Sequence, residues 1–392
     1  MTEVYIVSAV RTAIGTFGGS LKNHSPTELG ALVTKEAIAR SGLQAGQVGH
    51  VVFGQVISTE PKDAFLGRVA AVNAGVPHET PAMTVNRLCG SGLQAIISAA
   101  QAIKLGDCDV AIGGGAEVMS RAPFLSTGMR WGRKMGDEML IDTLNGALTD
   151  PFNNILMGVT AENVAERYGI TREDQDQLAA LSQARAALAI AEGRFTDQIM
   201  PVQIKARGKT SEFAVDEHGR ETSVEELAKL RTIFRSENGT VTAGNASGIN
   251  DGASAVVLAN EATVKANGLK PMARLVAYAH SGVDPSYMGI GPVSATQAAL
   301  ARAGLSVADL DVIESNEAFA AQACAVSREL GLDPAKVNPN GSGIALGHPV
   351  GATGSIITTK LVYELERVGG RYGLTTMCIG GGQGIAAIFE RV

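Results

Sequence analysis

The chain repeats itself, and that repeat restricts its possible folds more than any other feature. Ala37-Ile38-Ala39-Arg40-Ser41-Gly42-Leu43 resembles Ala299-Leu300-Ala301-Arg302-Ala303-Gly304-Leu305. Each copy reads as a helix closed by glycine and followed by an apolar strand, over 48–56 in one and 310–315 in the other. Val85-Asn86 leading to Gly90-Ser91-Gly92 echoes Val337-Asn338 leading to Gly341-Ser342-Gly343. Ala111-Ile112-Gly113-Gly114-Gly115 echoes Cys378-Ile379-Gly380-Gly381-Gly382. Three correspondences in the same order imply two copies of one α/β unit. Helices alternating with apolar strands predict mostly parallel, buried sheets flanked by helices. Two such units form one layered body, with reactive groups at strand ends and helix starts where the copies meet.

A chain of 392 residues exceeds one small core, so more than one domain is expected. The first copy spans 1–118 and 250–270, and the second spans 271–392. The stretch 119–249 has no counterpart, is more polar and holds the only tryptophan, Trp131. Its helix over 171–192 shows an apolar stripe of Leu178, Leu181, Ala184, Ala187 and Leu188. Insertions of this size serve substrate binding or assembly.

The formal net charge is −6 and no block of Lys or Arg stands out, which argues against nucleic acid as a partner. Met1-Thr2-Glu3 opens onto the strand-like Val4 to Val10 without a basic leader, and no apolar run is long enough to span a bilayer. The chain therefore reads as cytoplasmic, with no membrane partner. Its four cysteines are far apart and form no CxxC pair, so no metal site is expected. Cys108 and Cys324 read as small buried hydrophobes.

Cys89 reads differently. An apolar stretch ends just before it, Gly90-Ser91-Gly92 follows, and a small-residue helix runs from Leu93 to Leu105. At a helix N-terminus the dipole favours an anion, and a thiol there falls from about 8.5 to roughly 3.5–7.5. Three more segments look chemical. His348 lies between Gly347 and Pro349, Cys378 ends a strand before a glycine run, and Asn316 stands between a strand and the helix over 317–330. His24, His50, His78, His218 and His280 have neighbours that indicate nothing further. Gly90-Ser91-Gly92-Leu93-Gln94-Ala95 fits the dinucleotide fingerprint G-x-G-x-x-G/A. However, Asp107 and Asp109 precede the next strand instead of ending it, so no ribose-binding acid is placed, and a cysteine before the first glycine crowds a pyrophosphate.

Together these motifs resemble those of the thiolases. Asn86-Arg87-Leu88-Cys89-Gly90-Ser91-Gly92, Asn316-Glu317-Ala318-Phe319, Gly347-His348-Pro349 and Cys378-Ile379-Gly380-Gly381-Gly382 look like that family's four catalytic motifs. The segments over 7–13 and 240–252 match as well, so the resemblance covers essentially the whole chain. It implies a layered αβαβα thiolase fold of two duplicated halves with an inserted loop domain. It also implies a cytoplasmic homotetramer that acts on coenzyme A thioesters with no tightly bound cofactor. Within the family the chain looks most like bacterial β-ketothiolases of the acetoacetyl-CoA type, some of which accept longer 3-ketoacyl-CoA and feed polyhydroxyalkanoate synthesis.

The resemblance implies a catalytic set of Cys89, His348, Cys378, Asn316 and Gly380. Cys89 carries the acyl group and His348 takes its proton. Cys378 exchanges the α-proton of the second acetyl-CoA. Asn316, through a water, and His348 hold the enolate oxygen. The N–H groups of Cys89 and Gly380 hold the tetrahedral oxyanion. Ser247 matches a pantetheine contact, Arg220 a position near the nucleotide, and Met157, Met288, Phe319 and Ala318 the acyl pocket. Many relatives carry histidine where this chain has Leu156. Two rival readings remain at this level: a malonyl-decarboxylating condensing enzyme of the ketoacyl-synthase type, and an acyl-CoA-binding or redox-sensing protein without turnover.

Overall fold

The computed structural model describes residues 2–206 and 208–392. Its core is a ten-stranded mixed sheet. The first half contributes β1 (Val4–Arg11), β2 (His50–Gly54), β3 (Ala82–Val85), β4 (Val110–Val118) and β5 (Asn250–Asn260). The second contributes β6 (Ala273–Gly282), β7 (Val312–Ser315), β8 (Tyr372–Ile379) and β9 (Gln383–Arg391). The order is β7-β8-β9-β6-β1-β5-β4-β2-β3, with the short Gly15–Thr16 strand beside β5. The halves meet where Tyr5 pairs with Arg274 and Ile6 with Ala273.

The strand pattern runs outward twice from that seam. β1, β5, β4, β2 and β3 in one half answer β6, β9, β8, β7 and a single bridge, Ile313 to Val337, in the other. Parallel pairing is confined to the outer strands β3/β2, β2/β4 and β7/β8. The pairings between β4 and β8 are antiparallel, which corrects the expectation of mostly parallel sheets. The physical reason is local in the second half, where the Gly380–Gly382 turn sends the chain straight back beside itself as a hairpin.

Register also corrects two of the sequence echoes. Val51 pairs with Ile112 and Ile313 with Leu374, so Ile112 answers Leu374, not Ile379. Likewise Val337 answers Ala82, not Val85, because they pair with Ile313 and Val51. Gly113–Gly115 lie inside a buried strand, whereas Gly381 and Gly382 turn at φ +81° and +83°. The elements repeat as expected; the glycine runs match only by composition.

Helices complete five layers. α1 (Pro26–Ser41) covers the outer face of β1, β4 and β5. Two central helices, α2 (Ser91–Leu105) and α7 (Val350–Val368), pack on each other and between the two halves of the sheet. Gly92 and Gly354 let their backbones touch: a Cβ on Gly92 would lie 2.7 Å from the Ser355 nitrogen, and one on Gly354 2.3 Å from the Leu93 nitrogen. The glycine of the apparent dinucleotide fingerprint is therefore occupied by a helix contact, with no space for a pyrophosphate. α5 (Gly291–Ala303) covers β6, β8 and β9 on the far side. α6 (Ala320–Leu330) follows β7.

Between β4 and β5 the chain forms α3 (Met157–Tyr168), α4 (Arg172–Ala191) and short hairpins. The apolar stripe expected on α4 does not face the core. Leu181 and Leu188 are about half exposed, and the buried face is Gln175, Asp176, Ala179, Ser182, Gln183, Ala186 and Ala189. Polar bonding decided the orientation. Asp176 takes Arg172 Nε at 2.7 Å and Asn245 Nδ2 at 3.0 Å, Ser182 donates to Glu317 at 2.6 Å, and Gln183 accepts from the Arg220 N–H at 3.0 Å. Among the described residues no helix is long and apolar enough to cross a membrane.

Candidate active site

The site forms where α2 and α7 begin. β3 ends at Val85, and the Asn86 side chain accepts from the Leu88 N–H at 2.9 Å, making an Asx turn. Ser91 Oγ closes the loop from inside, accepting from Arg87 N at 2.8 Å and donating to Leu88 O at 2.7 Å. Leu88 is thereby held at φ +45°, a left-handed conformation rare for leucine. Cys89 comes next, one residue before the α2 N-cap Gly90, and it is partly accessible.

His348 enters from the opposite half. Gly347 turns the chain at φ +105° and leaves no room for a side chain, because a Cβ would lie 2.5 Å from Asn250. Asn250 accepts the His348 backbone N–H at 2.9 Å, fixing the turn. The imidazole is buried, with Nδ1 2.6 Å from Thr353 Oγ1 and Nε2 3.5 Å from Asn316 Nδ2. Thr353 donates its only proton to Pro349 O at 2.9 Å. It must therefore accept from Nδ1–H, which leaves Nε2 with a free lone pair. The approach of the Asn316 amide agrees with that tautomer. Burial pushes His348 down to about 4, so the ring is a neutral acceptor.

Cys378 lies in β8 with no exposed surface. It clusters with Met157, Met288 and Ala318, and Phe319 packs against them. Burial and the neighbouring Cys89 push its thiol well above the usual range. The N–H groups of Gly380 and of Cys89 itself point at the Cys89 sulfur and lower its pKa, yet burial dominates and raises it to about 11. This overturns the expected depressed thiol. Cys89 precedes the helix cap and packs with Ile57, Met119 and Val350, and desolvation outweighs the two N–H groups. Cys108 and Cys324 are half-buried, not core residues as expected. Cys108 sits between Asp107 and Asp109 at a strand entrance, and Cys324 Sγ lies 3.7 Å from Asp174 O on the flank of α6.

A cavity of about 610 Å³ opens above this centre. His348, Met157, Phe319 and Ser247 line it, as do Leu156, Leu148, Phe17, Phe234 and His218. The Ser247 loop is strapped in place by Ser247 N–H to Ala318 O at 3.0 Å and Ala320 N–H to Asn245 O at 2.8 Å. Arg220 is exposed and donates to Ala243 O at 3.3 Å, which puts it at the rim. Met288 stands behind the wall, beside Cys378. Four residues around the site are absent from the site residues read in the sequence. His218 was set aside yet lines the cavity, and Asn250 Nδ2 lies 3.3 Å from its Nδ1. Phe17 and Phe234 belong to loops without any periodic signal. Thr353, on the first turn after Gly-His-Pro, was legible as a nearby hydroxyl. Among the described residues no group of His, Cys, Asp and Glu is disposed to hold a metal ion.

Fold and site together define a class: duplicated, five-layered α/β enzymes centred on cysteine. The thiolase N-terminal domain model matches residues 4–262 and the thiolase C-terminal domain model residues 269–391. The chain belongs to the thiolase family and is an acyltransferase. It is 66% identical over 391 residues to the beta-ketothiolase BktB of Cupriavidus necator, covering 100% of this chain and 99% of that protein. It is 52% identical to an acetyl-CoA acetyltransferase of Pseudomonas aeruginosa, covering 100% of both. Human mitochondrial 3-ketoacyl-CoA thiolase, solved in complex with CoA, superposes with a TM-score of 0.96 at 46% identity, covering 100% of this chain and 98% of that one. The thiolase fold stands as expected, and the ketoacyl-synthase reading is set aside.

Proposed function

We propose that this thiolase is an acetyl-CoA C-acetyltransferase, a β-ketothiolase that reversibly joins two acyl-CoA molecules into 3-ketoacyl-CoA and CoA. The observation that carries the mechanism is the His348 tautomer, locked by Thr353 so that Nε2 is an unprotonated acceptor, in a ring that lines the cavity. Nε2 takes the Cys89 proton as the sulfur attacks the thioester carbonyl; the carbon–sulfur bond to CoA breaks, and CoA leaves with the proton. A thiol raised to about 11 needs such a base, since little thiolate exists beforehand. Cys378 first gives up its own proton to Nε2 of His348; its thiolate takes the α-proton of acetyl-CoA, and the resulting carbanion attacks the acyl-Cys89 carbonyl, forming the carbon–carbon bond and breaking the carbon–sulfur bond, after which the Cys89 sulfur recovers the proton held on His348. The enolate oxygen is held by a water on Asn316 and by His348 while its Nε2 carries a proton to donate. The tetrahedral oxyanion is held by the N–H groups of Cys89 and Gly380, each worth about 2.7–4 kcal/mol.

Residues 1–118 with 250–270, 119–249 and 271–392 act as first half, inserted loop domain and second half. The insertion gathers coenzyme A: Ser247 toward pantetheine, Arg220 toward the nucleotide, and Met157, Met288, Phe319 and Ala318 around the acyl group. CoA thioesters are substrates, with no resident cofactor. Phe124, Leu125, Met129, Trp131, Met135, Met139 and Leu140 are all exposed on one short stretch of the insertion, which supports assembly into a homotetramer. The enzyme works in the cytoplasm, and its condensation direction yields 3-ketoacyl-CoA of the kind that feeds polyhydroxyalkanoate synthesis. Leu156 makes the cavity wall apolar where many relatives have histidine, favouring a broad short-chain range. Thiolysis and condensation kinetics across 3-ketoacyl-CoA lengths test this. Five- and six-carbon substrates should be cleaved within about tenfold of the four-carbon one, a discrimination typical of one or two methylenes. Activity confined to four carbons defeats the broad range.

A further inference from the structure

One carboxylate beside the nucleophile has no part in these steps. Glu117 lies near the end of β4 with no exposed surface. Its Oε2 accepts from Val56 N and Gly351 N, both at 2.9 Å, and its Oε1 accepts from Ile57 N at 3.2 Å. Among the described residues no side chain donates to it and no cation pairs with it. Gly351 stands so close that a Cβ there would lie 2.4 Å from Oε2. The donors belong to different halves: Val56 and Ile57 follow β2, while Gly351 is in the first turn of α7, just after His348-Pro349. The residues flanking those donors form the packing around the nucleophile, since Ile57, Met119 and Val350 cluster with Val56 and Cys89 against them.

We propose that Glu117 is a positioning residue that couples the two halves of the site, holding the first turn of α7, and with it His348, against the loop of Cys89. This rests on Cys89 as the nucleophile. Glu117 does its work through backbone N–H groups, which its two carboxyl oxygens gather from both halves of the site. Its charge has a second consequence. Glu117 faces Cys89 from the loop after β3 and Asp63 from the 61–65 turn; burial is the main cause of the raised Cys89 thiol, and Glu117 adds to it when its own carboxyl, pushed up to about 8 by burial, is ionised.

Glu117→Gln and Glu117→Asp in the full-length enzyme test the proposal by iodoacetamide labelling, with the modified residue identified by mass spectrometry. Burial pushes the Glu117 carboxyl up to about 8, so Glu117→Gln removes its charge only above that value, and Cys89 labelling at about pH 9 should speed up about three- to tenfold. Its kcat for acetoacetyl-CoA thiolysis should fall about tenfold or more, with KM within about twofold, as expected for lost alignment. Glu117→Asp keeps the charge but draws it back from Gly351, so its labelling profile should follow the parent while kcat still falls. An unchanged profile in a folded Glu117→Gln, or full kcat in Glu117→Asp, overturns the proposal. If Glu117→Gln does not fold, the Glu117→Asp split decides. Turnover in Cys89→Ser would instead remove the nucleophile reading itself, a separate failure.

Discussion

The two halves share one strand register but are stabilised by different means. In the first, the β2 position Val52 is apolar, β3 is a full strand, and Cys89 is the single reactive side chain proposed. In the second, the equivalent position is Glu314, and the outer strand has shrunk to one bridge at Val337. The residues freed there carry charges. Lys360 in α7 donates to Glu314 at 2.7 Å and to Gly341 O at 2.6 Å. Glu317 accepts from Ser182 at 2.6 Å and Asn338 at 2.8 Å, and Asn340 donates to Glu364 at 2.8 Å. Burial raises Glu314 to about 7 and also raises Glu317. This buried polar layer lies directly behind Asn316 and the loop leading to His348. The first copy keeps its full outer strand, and the copy that gave up a strand holds most of the proposed chemistry.

The sharpest way to break that contrast is to exchange the sulfurs' duties. Cys89→Ser should lower thiolysis and condensation by about 10⁴-fold or more and abolish the acetyl adduct on residue 89. Cys378→Ser should keep that adduct, seen by mass spectrometry with acetyl-CoA, while the carbon–carbon step falls about 10²–10⁴-fold. Equal behaviour in the two variants would erase the division of labour.

A smaller effect tests the charged layer. Lys360→Met leaves Glu314 buried and unpaired, at a cost of about 3–5 kcal/mol in urea unfolding. Adding Glu314→Leu makes the second half resemble the first at Val52 and should recover most of that loss. A single variant within about 1 kcal/mol of the parent would show that the layer is not held by this ion pair.

The smallest effect concerns pH. His348 is lowered to about 4 in the folded chain, so between that value and the ordinary 6.5 the folded state binds fewer protons than the unfolded. Stability is therefore full above 6.5 and is lost as pH falls toward 4, by about 3 kcal/mol from this residue. His348→Asn should flatten that part of the profile in unfolding measured across the same window. An equally steep profile would place the acid sensitivity elsewhere.

Much of this was readable before any coordinates. The helix-glycine-strand echo located matching elements, and Gly-His-Pro and the strand-ending Asn316 and Cys378 marked residues that the fold brings to one centre. What failed did so for physical reasons. The glycine echo compared composition where register decides, as Gly113–Gly115 in a strand and Gly380–Gly382 in a turn show. The α4 stripe followed hydrophobicity, while Asp176, Ser182 and Gln183 turned their face inward through long-range hydrogen bonds. The Cys89 thiol was judged by its helix alone, whereas its burial is tertiary. Glu117 carried no motif at all, because its partners are backbone groups far away in sequence.

The seam strand β1 has a consequence for how the chain is made. Its partners are β5, which ends at Asn260, and β6, which starts at Ala273. At roughly 5–20 residues per second, the first strand leaves the ribosome tens of seconds before its neighbours exist. For that interval Val4–Arg11 is an apolar ribbon with both edges unpaired, open to any strand it meets. Val4–Arg11 is therefore paired on both edges only after the chain has been made as far as the strand that starts at Ala273.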